Sequence, residues 1–247
     1  MIKILLITLI LNAILLAQDI YATFNVEALK ESELTLSSSG VVKVIYVDVG
    51  DKVKKDELLL ELDNEDLKTS VLLEKEKIKL AQINLEYAKK AYDRFLKIKD
   101  VVNEEQFDKY SSDYERSKIE LAKAKANLNY KQAQLEKTYL RAPFDGVIST
   151  KQIELGSGVS SAKMETLFTL ITPNKKLLKI NIDEKYINDL KLSQTFIYST
   201  SNSDLKKTTK ISKIYPAIDP KKRSITLEAP IDDLKVGMFG YGYLKVD

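Results

Sequence analysis

The feature that most constrains this chain is a long segment, between Gly50 and Pro143, that contains neither glycine nor proline. These two residues most often interrupt helices, so their absence permits helices of unusual length. After Asp63 the apolar residues recur at alternating intervals of four and three. The series is Leu67, Val71, Glu74, Ile78, Ala81, Leu85, Ala88, Tyr92 and Phe95. This spacing predicts an amphipathic helix that ends near Asp100, with Glu74 as the one polar member of its seam.

A second helix is predicted after a link at residues 101–103, with Asn103 as its N-cap. A strict heptad repeat in this helix favours a left-handed supercoil. Two long helices joined by so short a link must lie antiparallel, so we expect residues 64–137 to form a helical hairpin. The heptad residues are Phe107, Tyr114, Leu121, Leu128 and Leu135, with a companion series of Tyr110, Ser117, Ala124, Lys131 and Thr138.

The segments on either side of the hairpin resemble each other. Both alternate apolar and polar residues as strands do, and both end in an apolar strand. Neither can bury its apolar face alone, and internal repetition of this kind indicates two halves of one unit. We therefore expect residues 40–63 and 138–173 to fold together into one β-sandwich. The corresponding pairs are Gly40 and Gly146, Gly50 and Gly156, Val53 and Val159, and Leu58 and Met164.

The end of the chain, residues 174–247, is predicted to be a separate β-structure. It contains five or six short strand-like runs, punctuated by Pro216, Pro220 and Gly237. Such a series is typical of a small β-barrel. We expect residues 23–39 to contribute one or two N-terminal strands that join this barrel.

The start of the chain has the pattern of an export signal. Lys3 precedes an apolar run from Ile4 to Ala17. The run is short for a membrane span, and small residues follow it, so residues 1–22 are predicted to be a signal peptide cleaved after Ala17 or Ala22. A retained membrane anchor is the alternative.

Composition excludes several classes of function. The sequence has no Cys, no His and no Trp, and three Met. It therefore lacks the usual ligands of zinc, haem and iron–sulfur clusters, and it cannot support Ser–His or Cys–His catalysis. The net charge of +3 is too small to argue for nucleic acid. We expect no enzymatic activity, no cofactor, no metal and no nucleic-acid partner.

A sandwich of two similar halves resembles lipoyl and biotinyl carrier domains, but the hairpin replaces the turn that carries their modified Lys, and no Met-Lys-Met motif occurs. A lipoyl-like domain split by a hairpin and followed by a barrel resembles instead the periplasmic adaptor, or membrane fusion protein, family (HlyD-like). Three stretches carry this resemblance: GVVKVIYVDVGDKVKKDELLLELD at 40–63, YLRAPFDGVI at 139–148 and LKVGMFGYGYLKV at 234–246. Asp56 stands where the family usually has Gly.

The resemblance implies an α+β fold, in which a split lipoyl-like β-sandwich is interrupted by a long antiparallel α-helical coiled-coil hairpin and followed by a small β-barrel. It implies a non-catalytic subunit in the periplasm of a Gram-negative bacterium. This subunit bridges an inner-membrane transporter to an outer-membrane channel in a tripartite efflux pump, reaches the membrane through its partners, and forms a homo-oligomer, either a hexamer or a trimer of dimers.

An RND-type (resistance–nodulation–division) transporter is favoured by its frequency in the family, with an ABC-type exporter as the alternative and metal efflux as a third case. Outside the adaptor class, a carboxylase carrier subunit and a secreted coiled-coil structural protein remain to be distinguished. Co-purification with a channel and a transporter would separate the adaptor from both.

Many adaptors engage the channel through an Arg-x3-Leu-x6-Ser motif at the hairpin tip. On this chain the motif falls on Tyr92, Leu96 and Asn103. Leu96 matches, Asn103 keeps a hydrogen-bonding side chain, and Tyr92 replaces the Arg, with Arg94 two residues later. The resemblance thus implies a channel-binding site at Tyr92, Arg94, Leu96 and Asn103; ordinary seam, tip and cap roles are the alternative.

A set of basic residues in the last segment has two interpretations. It is either a solvated barrel surface or a contact with an acidic transporter face or anionic lipid. The set is Lys206, Lys207, Lys210, Lys213, Lys221, Lys222 and Arg223.

Overall fold

The computed structural model describes residues 19–101, 103–200 and 203–246, so the predicted signal peptide lies outside the described residues as far as residue 18. The chain divides into two units. The hairpin unit is Glu33–Thr169, and the sheet unit combines the described parts of Met1–Ser32 and Leu170–Asp247.

Two long helices form the predicted hairpin: α1 spans Glu65–Leu96 and α2 spans Glu104–Glu136. Every residue of the predicted seams is buried or half-buried, whereas most positions between them are exposed. α1 ends four residues before the predicted end at Asp100. There the backbone tightens into turns, because the N–H of Ile98 donates to the carbonyl of Phe95 at 3.2 Å and the N–H of Val101 donates to Ile98 at 3.0 Å.

The strands on both sides of the hairpin form two four-stranded sheets. Their orders are β2-β9-β7-β4 and β6-β5-β3-β8. β3 of the first half pairs with β8 of the second, and β7 of the second half pairs with β4 of the first. Each half thus completes both sheets, as the internal repetition predicts. The strands are β2 (Glu31–Leu34), β3 (Gly40–Ile45), β4 (Lys52–Val53), β5 (Leu58–Leu62), β6 (Tyr139–Arg141), β7 (Gly146–Lys151), β8 (Gly158–Val159) and β9 (Phe168–Ile171).

Backbone conformation corrects one of the residue correspondences predicted between the two halves. The corresponding Gly50 and Gly156 both have positive φ, 93° and 82°. Asp56 and Met164 also have positive φ, 67° and 48°, which few non-glycine residues adopt. Met164 therefore corresponds to Asp56 and not to the predicted Leu58. The difference arises because the interval from Val159 to Met164 is two residues longer than the interval from Val53 to Asp56.

The base of the hairpin is closed by a buried polar pair. Asn64, just before α1, and Thr138, just after α2, are 0% and 2% exposed. The Asn64 Nδ2 donates to Thr138 Oγ1 at 2.8 Å, and the Thr138 hydroxyl donates to the carbonyl of Leu135 at 2.6 Å. Water cannot replace these partners, so the pair ties the two helix ends together.

A second cluster joins α1 to β5. The buried Glu61 accepts hydrogen bonds from the Tyr46 hydroxyl at 3.0 Å and from Lys68 Nζ at 2.9 Å. The Lys68 ammonium holds the pKa of the Glu61 carboxyl below its usual value, and Glu61 raises the pKa of Lys68. Both groups are therefore charged at neutral pH, and they hold the first turns of α1 against the sandwich.

The sheet unit contains one seven-stranded sheet in the order β12-β11-β15-β1-β10-β14-β13. Adjacent pairs for which a register is given are antiparallel. A 3₁₀ helix at Glu184–Asp189 follows β10. The strands are β1 (Ile20–Ala28), β10 (Lys176–Asp183), β11 (Thr195–Thr200), β12 (Ser203–Lys210), β13 (Lys213–Asp219), β14 (Ser224–Ile231) and β15 (Phe239–Leu244).

Two predicted boundaries at the start of the chain need correction. β1 includes Ile20 and Ala22, both buried, so the strand begins inside the predicted 1–22 segment. Residues 23–39 do not all join the last segment, because β2 belongs to a sandwich sheet, where the N–H of Leu167 donates to the carbonyl of Leu34 at 2.8 Å. β2 occupies beside β9 the place that β6 occupies beside β5, so the repeat extends to residue 31.

β15 places glycine on its inner face for a steric reason. A Cβ at Gly240 would lie 2.4 Å from the Ser199 carbonyl oxygen and 2.6 Å from the Phe24 ring. A Cβ at Gly242 would lie 2.5 Å from the Phe196 ring. The two buried aromatic rings occupy the space that side chains would need. Close packing of this sheet therefore depends on these glycines.

We expect Gly240→Ala to destabilise the sheet unit by about 1–3 kcal/mol, because the added methyl group overpacks against Phe24. Native-state hydrogen exchange at the amides of β1 and β15 measures this loss. Gly158→Ala is the matched control, since nothing lies within 4 Å of a Cβ there. Equal protection in both variants would contradict the steric explanation.

We expect Thr138→Val to destabilise the hairpin base by about 1–3 kcal/mol, because it removes the buried hydroxyl to which the side-chain amide of Asn64 donates. Thermal unfolding followed by helical circular dichroism measures the change. Thr69→Val is the control, since the Thr69 hydroxyl makes an exposed bond within α1. A cost no larger than that of the control would refute the role of the buried pair.

Candidate partner-binding site at the hairpin tip

Stacked aromatic side chains position the tip of the hairpin. Phe95 stacks on Tyr110 with ring centroids 3.9 Å apart, and Tyr92 stacks on Tyr114 at 5.2 Å. Phe107 lies 5.9 Å from Tyr92. Such pairs stabilise contacts beyond the apolar area that they bury. The C-terminal end of α1 and the N-terminal end of α2 are therefore held together near the tip.

The charges and the cap at the tip suit the helix ends. Asn103 is the N-cap of α2, as predicted, and its Oδ1 accepts a hydrogen bond from the N–H of Glu105 at 3.0 Å. Glu104 and Glu105 place negative charge in the first turn of α2, and Arg94 places positive charge in the last turn of α1. Both signs are favourable in the field of the helix dipoles. Arg94 and Asn103 therefore stabilise the tip itself.

Three apolar side chains are exposed where the helices meet. Leu96, Ile98 and Val101 are 46%, 46% and 85% exposed. We call these three residues the apolar tip. Large apolar side chains exposed together are typical of contact surfaces, so the apolar tip is a candidate binding surface. Lys99 lies beside them, with its Nζ 5.0 Å from the centre of the Phe107 ring.

The structure separates the four residues expected to bind the channel. Leu96 belongs to the apolar tip, and Arg94 and Asn103 are exposed beside it. Tyr92 is half-buried in the seam, so the position of the family's Arg is occupied by a packing residue. That these four residues bind a channel stays a prediction.

Ile98 and Val101 lie outside the site predicted from the sequence. The sequence does contain a signal for them, because short links between helices are usually polar. The predicted helix end near Asp100 places Ile98 within α1, and the predicted link contains Val101, so neither prediction implies an exposed apolar group. The seam pattern could not locate them, since the chain leaves the helical period after Leu96.

The basic residues of the sheet unit divide into two groups. Lys207 forms an ion pair with Asp233, and Lys213 lies 3.9 Å from the carboxylate of Glu228. The other side chains of the set are exposed. They are Lys206, Lys210, Lys221, Lys222 and Arg223.

Within residues 19–101, 103–200 and 203–246, no three acidic side chains converge as ligands for a metal ion. Over the same ranges, no helix combines the length and the apolar character needed to cross a bilayer.

Comparison with known sequences identifies relatives. Residues 30–171 match the family described as CzcB-like, barrel-sandwich hybrid domain. The chain is 22% identical over 215 residues to the cobalt-zinc-cadmium resistance protein CzcB of Cupriavidus metallidurans, covering 81% of this chain and 40% of the relative. It is 26% identical over 211 residues to the macrolide export protein MacA of Escherichia coli O157:H7, covering 76% and 55%. The chain thus spans about half the length of these curated relatives.

Comparison with solved structures shows the same fold. MacA from Actinobacillus actinomycetemcomitans superposes with a TM-score of 0.83 at 19% identity, covering 94% of this chain and 79% of that one. A membrane fusion protein from Streptococcus pneumoniae R6 superposes with a TM-score of 0.73 at 16% identity, covering 92% and 99%. From the family match over more than half of its length, this chain belongs to the CzcB-like membrane fusion proteins, which carry the barrel-sandwich hybrid domain.

Proposed function

We propose that this chain is the periplasmic adaptor subunit of a tripartite efflux pump, which joins an inner-membrane transporter to an outer-membrane channel. The observation that carries this proposal is a helical hairpin that interrupts one sandwich and exposes an apolar tip at its far end. With 32 residues in α1, the tip lies about 50 Å from the sandwich. A contact at that distance suits a bridge between two partners.

The proposed role is mechanical and involves no catalysis. Asn64 and Thr138 close the base of the hairpin, and Glu61 with Lys68 holds α1 to the sandwich. The aromatic pairs keep the helices together at the other end. These contacts hold the hairpin to the sandwich at its base and hold its two helices together near the tip.

The helices also support the proposed homo-oligomer, a hexamer or a trimer of dimers. The seam is mostly half-buried, since only Val71 and Glu74 are buried within α1 and no residue is buried within α2. A second stripe on α1 is exposed, with Leu73, Leu80 and Tyr87 at seven-residue intervals. Neighbouring hairpins in a ring would cover this stripe. Individually weak contacts gain strength by repetition around such a ring.

We interpret the seven-stranded sheet as the predicted small β-barrel, which together with the sandwich contacts the transporter. An RND-type transporter remains our proposal, and an ABC-type exporter is the alternative. The names of the relatives suggest two cargo classes, divalent cations and macrolides. Growth of a deletion strain with zinc, cobalt, cadmium or a macrolide separates them, and the transporter that co-purifies with the chain identifies its class.

We expect Leu96→Asp combined with Val101→Asp to abolish efflux without unfolding the protein, because charged groups in the apolar tip would have to lose water in any tight contact. Co-purification of the outer-membrane channel with the tagged chain should fall at least tenfold. Retention of the transporter in the same preparation would show that only the tip contact is lost.

Ile119→Asp is the matched control. Ile119 lies on α2 away from the tip and is 67% exposed, so the same charge is added without entering the tip. Wild-type resistance and channel recovery in the tip variant would refute the tip assignment. If neither channel nor transporter is recovered even with the wild-type chain, a secreted structural role replaces the adaptor role.

A further inference from the structure

One end of the seven-stranded sheet brings together several chain segments. β1 starts there and β15 ends there, since Ile20 pairs with Leu244. β10 ends and β14 begins at the same level, since Asp183 pairs with Ser224. The turn between β13 and β14 and the 3₁₀ helix therefore lie at this end too. We call it the Tyr21 end.

Apolar side chains point into water at the Tyr21 end. Tyr21 and Tyr243 lie opposite each other on the outer face of β1 and β15, with ring centroids 5.7 Å apart, and they are 55% and 43% exposed. Ile187, in the 3₁₀ helix, is 42% exposed, and Leu192, just before β11, is 61% exposed. Strand alternation sends the tyrosines outward because Ile20 and Leu244 fill the core. Four large exposed side chains thus lie at the same end of the sheet, which makes this end a candidate contact surface.

Basic side chains surround these apolar residues. Lys221, Lys222 and Arg223 form the turn before β14 and are exposed, and within the described chain none of them has an ion pair. The carboxylate of Asp219 is engaged instead by the backbone N–H groups of Lys221 and Lys222, at 2.9 and 3.2 Å. The cationic groups of this turn are therefore available to an external anion.

Nearby acids are in part already neutralised. Asp19 forms an ion pair with Lys245 at 2.7 Å, and Asp183 lies 3.9 Å from Lys185 Nζ. Among the described residues, the other acids of this end are Glu184 and Asp189 in the 3₁₀ helix and Asp219 in the turn itself. The turn therefore carries three cationic side chains, Lys221, Lys222 and Arg223, against the one carboxylate of Asp219.

The segment that precedes β1 is apolar and leads directly to the Tyr21 end. Residues 1–18 lie outside the described part, and their sequence includes the apolar run from Ile4 to Ala17. Tyr21 lies four positions after Ala17. In the alternative in which this run is retained as a membrane anchor, the membrane that holds it lies within about 14 Å of Tyr21.

We propose that the Tyr21 end lies directly on a phospholipid bilayer and that its ligand is the anionic lipid headgroup. Tyr21 and Tyr243 enter the headgroup region, where the amphipathic phenol ring is favoured. Lys221, Lys222 and Arg223 contact lipid phosphates, with which juxtamembrane basic clusters associate. This contact goes beyond the proposed function, in which the chain reaches the membrane only through partner proteins.

The test uses tryptophan as a reporter of lipid contact. The sequence contains no Trp, so Tyr243→Trp introduces a single one in the full chain. Tyr87→Trp, at an exposed position of α1, is the matched control. Each variant is mixed with protein-free vesicles of phosphatidylcholine with brominated acyl chains, with or without phosphatidylglycerol, because bromine quenches tryptophan only at contact. We expect quenching at position 243, none at position 87, and stronger quenching with phosphatidylglycerol.

Charge reversal tests the headgroup assignment. Lys221→Glu, Lys222→Glu and Arg223→Glu, combined in the Tyr243→Trp background, should lower tryptophan quenching by phosphatidylglycerol-containing vesicles at least tenfold. The control reverses the charges of Lys52, Lys54 and Lys55, which are exposed in the hairpin unit, and should leave this quenching unchanged.

Three outcomes overturn the proposal. Absence of quenching at position 243 excludes lipid contact and leaves a protein, such as the transporter, as the occupant. Equal quenching at positions 243 and 87 shows nonspecific adsorption. If quenching changes neither with phosphatidylglycerol nor with charge reversal, the anionic headgroup is excluded as the ligand. None of these outcomes depends on channel recovery, so the proposed adaptor function is tested separately.

Discussion

The pairing of strands across the hairpin is the constraint on which the rest of the hairpin unit depends. β3 and β7 each find an edge partner only in the other half, through β8 and β4. Backbone groups left unpaired at these edges would be costly, so neither half is complete alone. The chain must therefore leave and re-enter the sandwich at neighbouring points. This forces the intervening residues into a closed hairpin, and the buried contact of Asn64 with Thr138 sits where the two ends meet.

The hairpin is packed most specifically at its two ends. Buried hydrogen bonds secure the base, and ring stacking secures the last turns before the tip. Between them the seam is mostly half-buried, because two helices alone cannot enclose a core. The middle of the hairpin and its tip therefore keep apolar side chains exposed to solvent. In the proposed assembly these side chains contact neighbouring hairpins and the channel.

The two faces of the short strand β15 have different roles, one in core packing and one at the protein surface. Its inner face carries Gly240 and Gly242, which leave room for the rings of Phe24 and Phe196. Its outer face alternates with aromatic residues, of which Tyr241 and Tyr243 both contact Tyr21. An aromatic ladder so exposed is unusual for a surface that meets only water. The membrane contact proposed for the Tyr21 end gives its outermost tyrosines a role.

Periodic patterns in the amino-acid sequence suffice to predict several elements of this protein. The seam of both helices is predictable, because a regular helix returns the same face to its partner at every turn, and matching glycines reveal the repeat of the two halves. Three features follow from tertiary contacts instead: β2 joins the sandwich, Asp56 corresponds to Met164, and Ile98 and Val101 are exposed at the tip. Those outcomes depend on which edges, cavities and helix ends meet in space, and a local pattern carries no information about partners that are distant along the chain.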